Sequence, residues 1–368
     1  MPVPAANLRP ILEATRTVWE SRLEEMFARG QFILGEQVAS FEQEWADYLG
    51  AKFAIGVGNG TDAITLALRD AFAARKQSPG EVLTTALTAP FTGVGIAASG
   101  AKIKFADIDP DTLSIDFDDA ANRVTKRTAA LVPVHLYGQP CRIDLFSKLA
   151  RQHKLTLVQD AAQAHGSKFH GRRLSEFSNY VTYSFYPTKN LGCLGDGGAI
   201  VTSSPSIHKR LREMRDGGRR GGQVSYGPGI NSRLDEMQAC YLRSFLPRLD
   251  DWNADRARTA ALYDAALADI PGVRLLKRYP CSVCHLYVIC AERRDKLREH
   301  LSKRGISTGI HYPVPLHLHP AFAACGQKKG SLPHAERAAR EILSLPLWPY
   351  LLPSQVAEVA EAIRKFYS

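Results

Sequence analysis

Apolar residues recur at helical spacing over residues 8–28 and again over 38–49, where Gly50 offers a stop. From Phe53 the period changes. Short apolar runs at 53–57, 102–106, 129–134 and 155–158 alternate with helical patterns, among them one running through Ala74 and one over 142–153. That alternation predicts an α/β fold, a largely parallel sheet with helices on both faces. Two further runs, 180–185 and 198–202, have only a glycine-rich loop between them, so the sheet is expected to be mixed. From Arg233 the texture shifts again. A helix through Leu246 and a second over 250–267 are followed by a break at Pro271-Gly272, a strand at 286–290 and a helix over 294–304. A Pro/His-rich loop, 310–320, and two terminal helices complete the chain. A boundary near 249 would divide it into a large domain, 1–248, carrying the N-terminal helical segment, and a smaller α/β domain, 249–368.

Composition narrows the class without naming it. With 45% hydrophobic and 23% charged residues over 368 positions, the chain is neither collagen-like nor disordered. Residues 82–101 carry no charge over the length of a bilayer span. They contain Pro90, Gly93, Gly95, Gly100 and four threonines, so a buried strand, turn and helix is the expectation. The first residues lack the basic and apolar pattern of a secretory signal, and a cytoplasmic location is expected. The formal charge of +10 hints at anionic ligands. Its densest cluster, from Arg215 to Arg220, has no interleaved aromatics, so nucleic acid is not an expected partner. Seven cysteines argue against a disulfide framework. Cys281-Ser-Val-Cys284-His285 matches a haem-attachment pattern, but no second pair completes a metal site, and reduced thiols before an apolar strand are expected.

Ligands of α/β sheets lie beyond the carboxyl ends of the strands. Three segments fall there. Gly58-Asn59-Gly60-Thr61-Asp62 opens a helix after the first strand, where free amides make an anion site, or where Thr or Asp merely caps the helix. Asp160 ends a buried apolar run and needs a partner, either the following turn or a cation in the crevice. Lys189 sits in the glycine-rich loop from Ser184 to Gly198, either snorkelling to solvent or desolvated enough to form a Schiff base. A phosphate cradle, a carboxylate and an amine after different strands of one sheet are together what pyridoxal 5′-phosphate requires.

The segments that carry these groups form an ordered series: Gly30 to Gly35, Gly60 to Ala63, Ala106 to Asp109, Val134 to Gly138, Asp160 to His165, Ser184 to Gly198, Gly229 to Asp235, Gly305 to His317 and Leu343 to Pro346. This series resembles the DegT/DnrJ/EryC1/StrS family of sugar aminotransferases, fold-type I pyridoxal-phosphate enzymes. The resemblance implies that Lys189 carries the Schiff base and shuttles a proton, that Asp160 pairs with the pyridine nitrogen, and that Gln163 bonds the ring hydroxyl. It places Gly60, the amides of Thr61 and Asp62 and the Ser184 hydroxyl at the phosphate, with Phe91 stacked on the ring. Asn231 would reach the neighbouring subunit's cofactor, making a homodimer with shared sites. The family's dehydratases replace the lysine with histidine, so Lys189 aligns this chain with the transaminases. Gln159 and Cys193 depart from common family residues, without touching Asp160 or Lys189.

The loop 305–317 resembles members that aminate C3 of a dTDP- or UDP-linked keto hexose, with Tyr186, His311, Tyr312 and His317 near the substrate and glutamate as the expected donor. Amination at C4, a keto-inositol acceptor, and a regulatory protein that kept the fold are the alternatives.

Overall fold

The computed structural model describes residues 2–76 and 78–368. Its main sheet begins with β1 (Phe53–Val57), β2 (Glu81–Thr85), β3 (Lys102–Ala106), β4 (Thr128–Val132) and β5 (Thr156–Asp160). A hairpin of two-residue strands, β6 (Lys168–Phe169) and β7 (Arg172–Arg173), leads to β8 (Tyr180–Ser184) and β9 (Gly198–Thr202). The seven main strands lie in the order β1-β9-β8-β5-β4-β2-β3. All neighbours run parallel except β9, which is antiparallel to both β1 and β8. The short loop between β8 and β9 forces that reversal, because a parallel return needs a crossover of a dozen or more residues. The fold is therefore α/β with a mostly parallel mixed sheet flanked by helices.

Strand residues divide between two cores according to parity. Ala54, Leu83, Leu157 and Val201 pack with Phe41, Trp45 and Phe146 on one face. Ile55, Val82, Val158 and Ile200 pack with Ile64, Leu68 and Phe105 on the other. Alternate side chains point to opposite faces, so both sides of the sheet are dry. The charge-free stretch is β2, a turn and the helix Pro90–Ala98. Among the described residues no helix is long and apolar enough to cross a membrane.

A second, antiparallel sheet, β10 (Val273–Leu275), β11 (Tyr287–Ala291) and β12 (Ile342–Leu345), packs with helices Leu249–Leu267, Arg294–Lys303 and Pro353–Tyr367 around Tyr263, Tyr287, Leu343 and Val359. Val3 joins this cluster and bridges to Ile306, so the first residues of the chain sit with its last third.

Local chemistry shifts three boundaries from the sequence pattern. The helix expected over 8–28 is two, Arg9–Ala14 and Arg16–Arg29, broken where the Thr15 hydroxyl donates back to the Ile11 carbonyl at 2.8 Å. Four-residue β12 stands between the two terminal helices, where only helices were expected. The helix expected from Arg233 starts at Glu236. Its buried carboxylate accepts the amides of Gly35, Gln37 and Val38 at 2.8, 2.9 and 2.9 Å, capping the helix Glu36–Tyr48 from two hundred residues away. Glu236→Ala strands three donors at once. A loss of about 3 kcal/mol is expected in chemical denaturation.

Candidate active site

β1, β5 and β8 all point their carboxyl ends to one edge, and the register Val57↔Gly198↔Ser184 puts β9's first residue level with the other two ends. Glycine makes the contact there possible. A Cβ on Gly198 would lie 2.4 Å from the Asn59 carbonyl carbon, and one on Gly60 would lie 2.8 Å from Ser184 Cβ. The N-terminus of helix Gly60–Ala74 therefore rests directly on the Ser184 end of β8.

Asn59 caps that helix, accepting the Asp62 amide at 2.8 Å, while the Asp62 carboxylate accepts from Ser232 Oγ at 2.6 Å. The Asp62 amide, expected at a phosphate, is thus committed to the cap. The amides of Gly60 and Thr61 have by position no intrahelical acceptor, and Gly60 lies against Ser184.

Asp160 is 3% exposed and has no cationic side chain within ion-pair distance among the described residues. Its Oδ2 accepts from Thr92 Oγ1 at 2.8 Å and its Oδ1 from the Ala162 amide at 3.1 Å. Burial raises its pKa, while the two donors and the more distant charge of Lys189 oppose the rise. Thr92, in the first turn of helix Pro90–Ala98, was not foreseen; nothing in an apolar stretch marks one threonine among four. In Thr92→Val the carboxyl loses a donor that favours its charged form. The acid limb of the kcat/KM profile is then expected to move up by about one pH unit.

Lys189 lies half-buried in the loop between β8 and β9. Burial lowers its pKa to about 8, with Asp160 limiting the fall. Phe91, at the start of the helix that follows β2, is 65% exposed, and Tyr186, after β8, is 53% exposed.

The Pro/His-rich loop comes to the site through Gln163. Gln163 Oε1 accepts the Tyr137 amide at 2.7 Å, and its Nε2 donates to the Tyr312 hydroxyl at 3.1 Å. The Tyr137 hydroxyl donates to the His311 carbonyl, and His311 Nδ1 meets Ser344 Oγ at 2.8 Å. Burial, with the nearby Lys189 charge, lowers His311 to about 4, and burial pushes Tyr312 up to about 12. Tyr137 was a second residue the sequence did not single out.

His317 is placed elsewhere. Its side chain has no exposed surface, and its Nε2 pairs with Glu336 Oε1 at 3.0 Å. The sugar contact expected from the loop's motif has no exposed His317 side-chain surface to meet in this structure. Asn231 is exposed, its backbone bridged to Asp216. The basic cluster is largely neutralised from within: Arg215 is buried against Glu42, Arg219 pairs with Asp216 and Arg220 with Glu213. All seven cysteines are free, and no group of three or more His, Cys, Asp or Glu among the described residues is arranged to hold a metal.

The residues present fit one cofactor. A buried carboxylate held off its ordinary pKa is a slot for a protonated ring nitrogen. Open amides beside a serine suit a phosphate, an exposed phenyl ring suits stacking, and a depressed amine suits a carbonyl carbon. Fold and site together define a pyridoxal-phosphate-dependent aminotransferase.

The comparisons narrow the class. The model of the DegT/DnrJ/EryC1/StrS aminotransferase family matches residues 16–364, and the chain belongs to that family. It is 42% identical to the dTDP-3-amino-3,4,6-trideoxy-alpha-D-glucose transaminase of Streptomyces venezuelae, covering 99% of this chain and 96% of the relative. It is also 42% identical to a pleiotropic regulatory protein of Geobacillus stearothermophilus, covering 100% of this chain and 99% of that one. The crystal structure of DesV from S. venezuelae, in complex with a ketimine intermediate, superposes with a TM-score of 0.95 at 41% identity, covering 100% and 99% of the two chains.

Proposed function

We propose that this aminotransferase moves an amino group from glutamate to C3 of a dTDP- or UDP-linked 3-keto hexose, in cytoplasmic amino-sugar biosynthesis. The observation that carries the reading is the meeting of Lys189, Asp160 and the 311–312 segment around Gln163. Similarity to a transaminase whose product bears its nitrogen at C3 supports the choice of carbon.

When bound, pyridoxal phosphate supplies an electron sink for the carbon that loses its proton. The chain's own groups do the rest. The Gly60 and Thr61 amides and the Ser184 hydroxyl bind the phosphate, with Asp62 holding the helix cap in place. Phe91 covers the ring. The Asp160 carboxylate keeps the proton on the ring nitrogen, because a buried anion beside it makes the protonated form the favoured one. Gln163 and Tyr312 bound the ring-hydroxyl side. Lys189 Nζ, its pKa lowered to about 8 by burial, would take and return the proton at the donor or acceptor carbon. Donor and acceptor use the same site in turn, in ping-pong order.

In this reading residues 1–248 hold the cofactor and 249–368 supply the loop that covers it, with Tyr186, His311 and Tyr312 near the sugar nucleotide. The active unit is a homodimer in which Asn231 of one copy serves the other's site. The exposed Phe27, Phe32, Ile33 and Met237 support a second copy packing there. Neither nucleic acid nor membrane has a part in this reaction.

A panel of nucleotide-linked 3-keto and 4-keto sugars, with glutamate as donor, tests the assignment. Turnover of 3-keto compounds is expected. Amination of the 4-keto compounds alone would overturn it.

A further inference from the structure

The residue after Lys189 is wired into the second sheet's side of the molecule. Asn190 is 2% exposed, and its Nδ2 donates to Asn253 Oδ1 at 2.8 Å and to the Val283 carbonyl at 2.9 Å. Its Oδ1 lies 3.0 Å from His285 Nδ1. Asn253, on the helix Leu249–Leu267, donates from Nδ2 to the His165 carbonyl at 2.9 Å. The directions of these bonds are fixed. The carbonyls of His165 and Val283 only accept, so each asparagine must turn its amide nitrogen toward them. That leaves Asn190 Oδ1 facing His285 as an acceptor, and His285 must carry its proton on Nδ1.

The rest of the surroundings hold that tautomer. His285 is 5% exposed, and burial drives its pKa well below the ordinary value. The charged and titratable groups facing it are Lys189 from the catalytic loop, Arg256 from the helix Leu249–Leu267, His165 after β5 and His311 from the covering loop. All four disfavour a charge on it. A neutral imidazole with one donor has one place to give it. The main chain beside it is anchored as well: the Val283 and His285 amides donate to the Gly138 and Tyr137 carbonyls at 3.0 and 2.9 Å, and the His285 carbonyl accepts from Arg256 at 3.2 Å. Cys281-Ser-Val-Cys284-His285 is a strap whose last residue meets Asn190, the neighbour of Lys189.

We propose that Asn190 and His285 form a positioning pair, in which the Nδ1–H of His285 locks the Lys189 loop to the strap before β11 and so sets where the amine stands. His285 touches no reacting atom in this account; it acts through Asn190. The proposal rests on Lys189 as the reacting amine, but the coupling it describes has a readout of its own.

The test compares donors at one position in the full-length, cofactor-loaded protein. Asparagine presents an N–H close to where His285 Nδ1 stands, whereas leucine fills the volume with no donor. Hydrogen exchange of peptides covering 186–197 is measured beside control peptides from 236–245, together with kcat and KM. His285→Leu and Asn190→Ala are expected to speed exchange in 186–197 by about tenfold and to lower kcat by about tenfold, with KM held within about threefold, as befits one lost buried hydrogen bond. His285→Asn is expected to keep both within about threefold of wild type. If His285→Leu does not yield folded protein, His285→Gln, whose amide lies one bond too far out, takes its place with the same expected loss. Impairment of His285→Asn equal to that of leucine or glutamine would mean that packing, not the donor, matters, and would overturn the proposal. So would unchanged exchange in 186–197 for both His285→Leu and Asn190→Ala. Should Lys189→Ala remain active while exchange still follows the donor, the failure lies with the assignment of the amine and not with the coupling.

Discussion

Lys189→Ala is expected to lower kcat by about 10³-fold or more, because it removes both the attachment point for the cofactor and the group that moves the proton. The loss should be confined to chemistry. Burial takes the folded-state pKa of Lys189 down to about 8 from 10.5 in the unfolded chain. Its folded form therefore binds a proton less tightly than its unfolded form. The stability cost is fully present below about pH 8 and disappears as pH rises through 10.5. Alanine removes that cost, so at pH 7 the cofactor-free variant is expected to melt no lower than cofactor-free wild type. Borohydride treatment of the loaded wild type should attach the cofactor covalently to the peptide carrying Lys189, and should attach nothing in the variant. A variant that turned over at the wild-type rate, or a wild type labelled elsewhere, would remove Lys189 from its assigned role.

The parts of this site that could be seen in the sequence are those whose local setting is odd. A lysine among glycines between two apolar runs, and an aspartate closing a buried strand, stand out because an ionised group there lacks an obvious local partner. The alternation of strands and helices and the β8–β9 reversal were legible for a similar reason: period and loop length are local quantities. What stayed hidden is made of ordinary residues that become special by distant contact. Thr92 meets Asp160 across 68 positions, Asn190 meets His285 across 95, and Glu236 caps a helix about 200 residues earlier. No spacing rule connects such pairs. Asp62 is a different case, since Asn59 three residues before it is a common N-cap and the local bond takes the amide first. His317 was open to two interpretations, solvated loop or substrate contact, and the fold took a third. Glu336, on the helix Pro333–Glu341, offers a buried carboxylate that a proline-rich loop gives no hint of. The charge behaves in the same way: Arg215 belongs to a basic run in sequence and to a buried ion pair in space.

Asp160→Asn should have opposite consequences with and without the cofactor, and that opposition is what identifies the carboxylate as a slot for a cation. In the loaded enzyme the neutral amide cannot hold a proton on the ring nitrogen. Breaking a buried pair in this way costs about 3–5 kcal/mol, which corresponds to a fall in kcat of about 10²-fold to about 5 × 10³-fold. In the cofactor-free chain the same carboxylate is buried with no ion-pair partner among the described residues, and burial has raised its pKa above the unfolded value. An acid raised in this way binds protons more tightly when folded. Its contribution to stability is therefore fully present below the unfolded carboxyl pKa and is lost as pH rises through the folded one. At pH 7 the cofactor-free wild type bears that loss and the asparagine variant does not. The variant keeps the shape, can still accept the Ala162 amide, and lets the Thr92 hydroxyl rotate to accept instead of donate. Thermal melts of cofactor-free protein are thus expected to place Asp160→Asn at or above wild type at pH 7, with the gap closing as the pH is lowered toward the carboxyl range. Melts of loaded protein should show the reverse order. A variant that is less stable in both states would make Asp160 a structural cap of its own turn, and the cation slot would have to be sought in another residue.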